Sequence, residues 1–131
     1  MDDLALRLQN IKEAGAYRLN CNVDGLRAAA AQADFALFEA DVATVQSKGE
    51  FLAAIAQAIH APEWFGHNWD ALADALGDLS WQPAYGYVLL LHNGGETLGL
   101  SAADRTIATE IFADAVNFWK LQGKPLWVFF C

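Results

Sequence analysis

The chain is poor in cysteine, in long apolar runs and in positive charge. Its 131 residues include two cysteines, Cys21 and Cys131, which are too few for a disulfide framework and have no metal-ligand spacing. We expect both to be reduced thiols, although the sequence leaves a bridge between them open. No apolar run approaches the roughly 20 residues that a membrane-spanning helix requires. The N-terminus has no basic region before an apolar core, so we expect a cytoplasmic protein without a secretory signal.

Basic residues are scarce relative to acidic ones. Eight Lys and Arg stand against 16 Asp and Glu, which gives a formal net charge of −8. Binding of nucleic acid rests on cationic side chains that meet phosphates, so this balance argues against a nucleic-acid partner. An acidic protein instead attracts basic proteins and raises the rate at which they meet. The composition therefore favours a protein partner of positive charge.

The length and the apolar content predict a single globular domain over residues 1–131. The hydrophobic fraction is 55% and the mean hydropathy is +0.18. A chain of this size can bury one core without disulfides or metals. No internal repeat or linker divides it.

Apolar runs that alternate with amphipathic segments predict an α/β fold. Residues 86–91 and 126–130 are almost continuously apolar, as in strands buried on both faces. Ser47 and Ser101 fit helix N-caps in capping boxes, and Gly123 fits the end of the second of these helices. Shorter patterns predict helices near residues 4–11 and 25–32 and strands near 17–20 and 35–40. Strands separated by helices indicate a parallel sheet with right-handed crossovers.

Residues 62–76 are the most informative segment, an aromatic turn followed by an amphipathic helix. At 100° per residue, the predicted apolar face comprises Trp69, Leu72, Ala75, Leu76 and Leu79, and the predicted acidic face comprises Asp70, Asp74 and Asp78. Like charges four residues apart oppose helix formation by about 0.2–0.5 kcal/mol per pair. A cationic partner would offset this repulsion.

The same segment resembles the signature of the barstar family, small intracellular inhibitors of secreted microbial ribonucleases. The matching residues are Pro62-Glu63-Trp64-Phe65-Gly66, Asn68, Asp70-Ala71-Leu72, Asp74 and Leu76. The resemblance extends over roughly residues 34–131 and leaves residues 1–33 as an N-terminal extension. It implies a small sheet of three, possibly four, parallel strands packed with helices.

The resemblance also implies a function, namely inhibition of a barnase-type ribonuclease or a related basic toxin domain in a 1:1 complex. It implies no catalysis and no cofactor, and it suggests a bacterial immunity protein. Asp70 and Asp74 stand where such inhibitors meet the catalytic cleft. Their carboxylates would take the places of RNA phosphates and accept charge-assisted hydrogen bonds.

Five further residues are expected around the two aspartates. Asn68 fits the N-cap of the acidic helix, and the resemblance also places it at the partner surface. Trp64 matches a partner-facing aromatic position, and Trp81 matches one when two extra residues are allowed before it. His67 and Gly77 complete the expected surface.

The chain departs from the family pattern in ways that bear on the identity of the target. Ala73 stands where barstar-type inhibitors can have a bulky aromatic residue. Residues 118–122 lack the carboxylates that such inhibitors can add to the interface from this region. The first 33 residues are additional.

Two alternative functions come from other classes. One is an acidic interaction module of the same fold whose partner is not a nuclease. The other is a metal-assisted hydrolase that uses His67, Asp70 and Asp74. Three ligands from one helix rarely converge on one ion, and no second cluster of His or Cys completes a ligand shell.

Overall fold

The computed structural model describes residues 4–19, 23–62 and 66–131. Within these ranges the helices are α1 (Leu4–Leu8), α2 (Val23–Gln32), α3 (Lys48–Ala58), α4 (Trp69–Leu76) and α5 (Ala102–Leu121). The strands are β1 (Ala16–Arg18), β2 (Ala36–Asp41), β3 (Tyr87–His92) and β4 (Leu126–Phe130).

The strands form one parallel sheet in the order β1-β4-β3-β2. The central strands β3 and β4 pair with Leu89 opposite Val128, and β2 pairs with β3 through Phe38 and Leu89. The short strand β1 lies at the other edge, with Tyr17 opposite Phe129. The predicted parallel α/β sheet is confirmed, and in the described residues it has four strands, the larger of the two numbers expected.

Successive side chains of β3 point into two different cores. Leu89 and Leu91 belong to a core that α3, α4 and α5 complete, while Val88 and Leu90 belong to a second core. On β4, Val128 and Trp127 divide in the same way. The sheet is covered on both faces, which explains why β3 is apolar or aromatic from Tyr87 to Leu91 and β4 is so along its whole length.

Residues that precede the barstar-like segment supply the second cover. Leu8 of α1 and Leu26 of α2 are buried against the same side of the sheet as Trp127. The indole Nε1 of Trp127 also donates a hydrogen bond to the Leu8 carbonyl at 2.8 Å. The N-terminal segment therefore shares a core with the central strands.

The predicted helix caps are confirmed. The Ser47 and Ser101 hydroxyls accept hydrogen bonds from the backbone N–H groups of Glu50 and Asp104 at 3.2 and 3.1 Å. Glu50 departs from the reciprocal capping box, because its carboxylate accepts the N–H of Gln46 at 2.8 Å. Gly123 follows the end of α5 with a left-handed φ of 80°, as a helix-terminating glycine does.

Two further expectations, on the cysteines and on membrane-spanning helices, can be compared with the structure. Cys131 is disulfide-bonded, so the prediction of a reduced thiol is wrong for this residue, and Cys21 lies outside the described residues. None of the helices in the described ranges is long and apolar enough to cross a membrane.

A charged group ties α2 to the edge of the sheet. Arg27 donates to both carboxylate oxygens of Glu39, at 2.9 and 2.7 Å, and His92 Nε2 lies 2.8 Å from Glu39 Oε1. The hydrogen bonds from Arg27 lower the pKa of Glu39 from 4.5 to about 2, against the opposing effect of burial and with a further contribution from His92. The contact links α2, β2 and β3.

This group predicts an acid-sensitive part of the stability. The pKa of Glu39 is lower in the folded chain than the ordinary 4.5, so unfolding takes up a proton between these values. The contribution is full above about pH 4.5 and is lost as the pH falls towards 2. We expect Glu39→Gln to unfold more easily at neutral pH and to show a shallower loss of stability on acidification, measured by urea unfolding at a series of pH values. An unchanged acid slope would contradict this assignment.

Two loops approach each other closely at Gly99, which predicts that this glycine cannot be replaced without loss of stability. Gly99 has φ 71°, and a Cβ there would overlap the Val45 carbonyl oxygen. Gly95 has φ 58° in the same loop, with nothing within 4 Å of its Cβ position. We expect Gly95→Ala to lower the free energy of unfolding by about 1–2 kcal/mol, the cost of the left-handed backbone. Gly99→Ala should lose clearly more, because the loops must also separate, and equal losses in urea unfolding would show that the approach does not matter.

Candidate functional site

The start of α4 is set by a local cap. Asn68 has extended backbone angles, and its Oδ1 accepts the N–H of Ala71 at 2.8 Å. His67, just before it, is exposed and has a left-handed φ of 53°, a conformation in which His is enriched among non-glycine residues. The chain therefore turns sharply at His67 and enters the helix at Trp69. The predicted N-cap role of Asn68 is confirmed.

The inner face of α4 is held at both ends. Ala71, Leu72, Ala75 and Leu76 are buried. At the first turn, the ring of Trp69 lies 6.1 Å from that of Phe51. At the last turn, Trp119 of α5 donates its indole N–H to the Leu76 carbonyl at 2.7 Å. Packing and this buried hydrogen bond fix the orientation of the helix.

The outer face of α4 carries two exposed carboxylates. Asp70 and Asp74 are both exposed, with exposed Ala73 between them. Residues four apart on a helix have Cβ atoms about 5–6 Å from each other. Neither aspartate forms an ion pair or a side-chain hydrogen bond with another residue of the described ranges. Two negative charges thus lie side by side on a well-packed helix, and no side chain in the described part of the molecule neutralises them.

The acidic face is shorter than predicted. The helix ends at Leu76, and Gly77 caps it with its N–H 3.1 Å from the Ala73 carbonyl. Asp78 is exposed in the following turn, and Leu79 reaches the core from a left-handed backbone with φ 52°. The prediction that both belong to the helix is wrong. Gly and Asp are weak helix formers, which explains why α4 stops here.

Three of the other expected site residues, His67, Gly77 and Trp81, belong to the described part of the chain. His67 stands at the beginning of α4 and Gly77 at its end. Trp81 is half-buried, and its Nε1 donates to the Ile59 carbonyl at 2.8 Å. Trp64 lies outside the described residues.

The described residues contain no group of three His, Cys, Asp or Glu side chains that could hold a metal ion. His67, Asp70 and Asp74 are therefore not brought together as ligands. The metal-assisted hydrolase gains no support from this part of the chain.

The group formed by Arg27, Glu39 and His92 is not predicted by the sequence patterns. Arg27 is 12 residues from Glu39, and His92 is 53 residues from it. Nothing in a local pattern links them, because Glu39 meets Arg27 through the packing of α2 against β2 and meets His92 through the pairing of β2 with β3. The single signal is that Glu39 is a charged residue between the apolar residues Phe38 and Ala40 of β2.

The cap of α4 can be tested by removing its acceptor. We expect Asn68→Ala to lower the free energy of unfolding by about 1 kcal/mol, because the N–H of Ala71 loses its partner. Asn68→Asp should retain most of the stability, since aspartate caps equally well. Urea unfolding of the three proteins measures the difference. An alanine variant as stable as the parent chain would mean that the cap does not hold the helix start.

Comparison with known proteins agrees with this geometry. A family model described as Barstar (barnase inhibitor) matches residues 35–131. No curated protein matches the chain. The matched region contains α3, α4, α5 and the strands β2, β3 and β4. Because the match covers well over half of the 131 residues, the chain belongs to the barstar family.

Proposed function

We propose that this protein inhibits a ribonuclease of the barnase type, or a related basic toxin domain, by covering its catalytic cleft with the outer face of α4. One observation carries the proposal. Asp70 and Asp74 are exposed on a helix that is fixed by its neighbours, and no residue of the described ranges supplies them with a counter-charge. The family is described as one of barnase inhibitors, and a cleft that binds RNA is rich in the cationic groups these carboxylates lack.

The proposed mechanism is occlusion by mimicry. The carboxylates of Asp70 and Asp74 occupy positions meant for RNA phosphates and accept charge-assisted hydrogen bonds from Arg, Lys or His of the nuclease. The helix is already formed and anchored at Trp69 and Leu76. Little conformational entropy is therefore lost when the complex forms. The inhibitor performs no chemistry.

The neighbours of the two aspartates would form the rest of the contact. Asn68 uses Oδ1 for the cap, so its Nδ2 is the atom that would donate to the partner. Trp81 would contribute the surface of its ring, because its N–H is engaged by Ile59. His67, Gly77 and Trp64 belong to the same proposed surface, Trp64 on the ground of the family resemblance alone.

The charge of the whole chain supports fast association. A net charge of −8 attracts a basic partner over several ångströms and steers its approach. Salt screens this attraction over a Debye length of about 10 Å at 0.1 M. Added salt should therefore slow association more than it speeds dissociation.

The proposed biological role is immunity. A bacterium that makes a secreted ribonuclease, or meets one from a competitor, is protected by an inhibitor that stays in its cytoplasm. A partner that is basic but not a nuclease is the alternative, and no contact in the described residues favours it over the ribonuclease.

The proposal predicts that Asp74 is required for inhibition. Asp74→Asn should weaken inhibition of a susceptible barnase-type ribonuclease by at least about tenfold, because a charged hydrogen-bond acceptor becomes a neutral one. Its free energy of unfolding should change by no more than about 0.5 kcal/mol, since the substitution removes a like-charge pair. Inhibition is measured by titrating each protein into RNA-cleavage assays with a panel of such ribonucleases.

The matched control is Glu96→Gln, which also replaces a carboxylate by an amide. Glu96 is exposed in the loop between β3 and α5, so the variant has the same net charge as Asp74→Asn. We expect it to inhibit almost as well as the parent chain. Equal losses in the two variants would mean that net charge, and not the α4 face, determines inhibition. Failure of the parent chain to inhibit any ribonuclease of the panel would sink the proposed target.

A further inference from the structure

A cavity of about 280 Å³ lies on the face of the sheet opposite to α4. It is lined by residues of α1, α2, the edge strand β1 and the central strand β4. Its floor consists of Leu8, Leu26, Trp127 and Phe129, all of them buried. The cavity therefore extends from the second core to the surface of the protein.

The wall of the cavity is aromatic. The ring of Tyr17 lies 5.7 Å from that of Trp127 and 6.3 Å from that of Phe129. Trp127 and Phe129 are themselves stacked at 5.6 Å. Leu4 and Leu19, both half-buried, complete the apolar lining. Concave, mostly apolar surfaces of this kind are typical of small-molecule sites.

Two guanidinium groups stand at the rim. Arg7 and Arg18 line the cavity and are exposed. Arg7 donates to Glu13 at 3.2 Å in an exposed ion pair, a class of contact that contributes little. Arg18 donates to the Gly95 carbonyl at 3.2 Å. A guanidinium has five N–H donors, so both groups keep the capacity to bind an anion.

We propose that this cavity binds a small amphiphilic carboxylate. The apolar body of the ligand fills the space beside Tyr17 and Trp127, and its carboxylate accepts hydrogen bonds from Arg7 and Arg18. Charge complementarity argues for an anion, because the chain places two of its eight basic side chains at the mouth of one apolar cavity. An empty cavity of about 150 Å³ admits benzene, so this one has room for a larger body.

The site is independent of the proposed inhibition. Seven of its nine lining residues precede residue 35 and lie outside the family match. The remaining two, Trp127 and Phe129, point away from the core that contains α4. A ligand here leaves Asp70 and Asp74 accessible, so the test below does not depend on whether a ribonuclease is inhibited.

The test uses octanoate with two matched compounds, 1-octanol and octylamine, which have the same alkyl chain and a neutral or a positive head. Binding to the full chain is measured by calorimetry, and its place by the NMR shift of the Trp127 indole N–H. This N–H donates to the Leu8 carbonyl at the floor. We expect a dissociation constant of about 1 mM or lower for octanoate. Octanol should bind at least about tenfold more weakly, and octylamine should not bind.

Three variants locate the contacts. Arg18→Gln and Arg7→Gln should each reduce octanoate affinity several-fold and leave octanol affinity unchanged. Lys48→Gln, which removes a positive charge on α3, should bind octanoate as the parent does. Leu19→Trp fills the lining and should abolish binding of both compounds, with its fold checked by circular dichroism.

Several results would overturn the proposal. These are absence of octanoate binding at about 10 mM, equal affinity for octanol and octanoate, and binding that leaves the Trp127 signal unmoved. Equal losses in Lys48→Gln and Arg18→Gln would also overturn it, because attraction to the chain's overall charge would then explain the affinity.

Discussion

On β3 and β4, adjacent side chains must pack into two separate cores, and the rest of the structure depends on this constraint. Val88 faces α2 while Leu89 faces α3, α4 and α5. A parallel sheet with apolar residues on both faces cannot leave either face in water. Helices α3 to α5 cover one face only. The segment that precedes residue 34 is thus needed structurally, since Leu8 and Leu26 bury the other face.

Packing into the core that it shares with α3 and α5 also explains why a helix as short as α4 can present a stable surface. Eight residues are too few for an isolated helix in water. Here the Asn68 cap fixes the first turn, and the Trp119 hydrogen bond fixes the last. Trp119 is itself buried in the same core as α4, with its ring 5.1 Å from that of Tyr87. The repulsion between Asp70 and Asp74 is therefore offset by contacts at the two ends of α4 that involve neither aspartate.

The sequence predicts well those features that neighbouring residues determine. The caps at Ser47, Ser101 and Asn68 and the buried strand β3 follow from patterns within a few positions, and all are present. The pattern predicts the end of α4 too late in the chain, because the periodicity continues through Asp78 and Leu79 after the backbone has left the helix. The contact of His92 with Glu39 and the cavity beside Tyr17 depend on strand order. No spacing along the chain encodes that order.

The opposite placement of the α4 face and the cavity determines how the two can influence each other. Trp127 and Val128 are adjacent on β4 but belong to different cores. Coupling between the sites would require an element with two arrangements that both ligands bias. Each described strand is instead paired in one register, and the central strands are paired on both sides. A ligand in the cavity would stabilise the folded chain against unfolding by mass action. It would leave the geometry of Asp70 and Asp74 unchanged, because the sheet lies between the two sites and is paired in one arrangement.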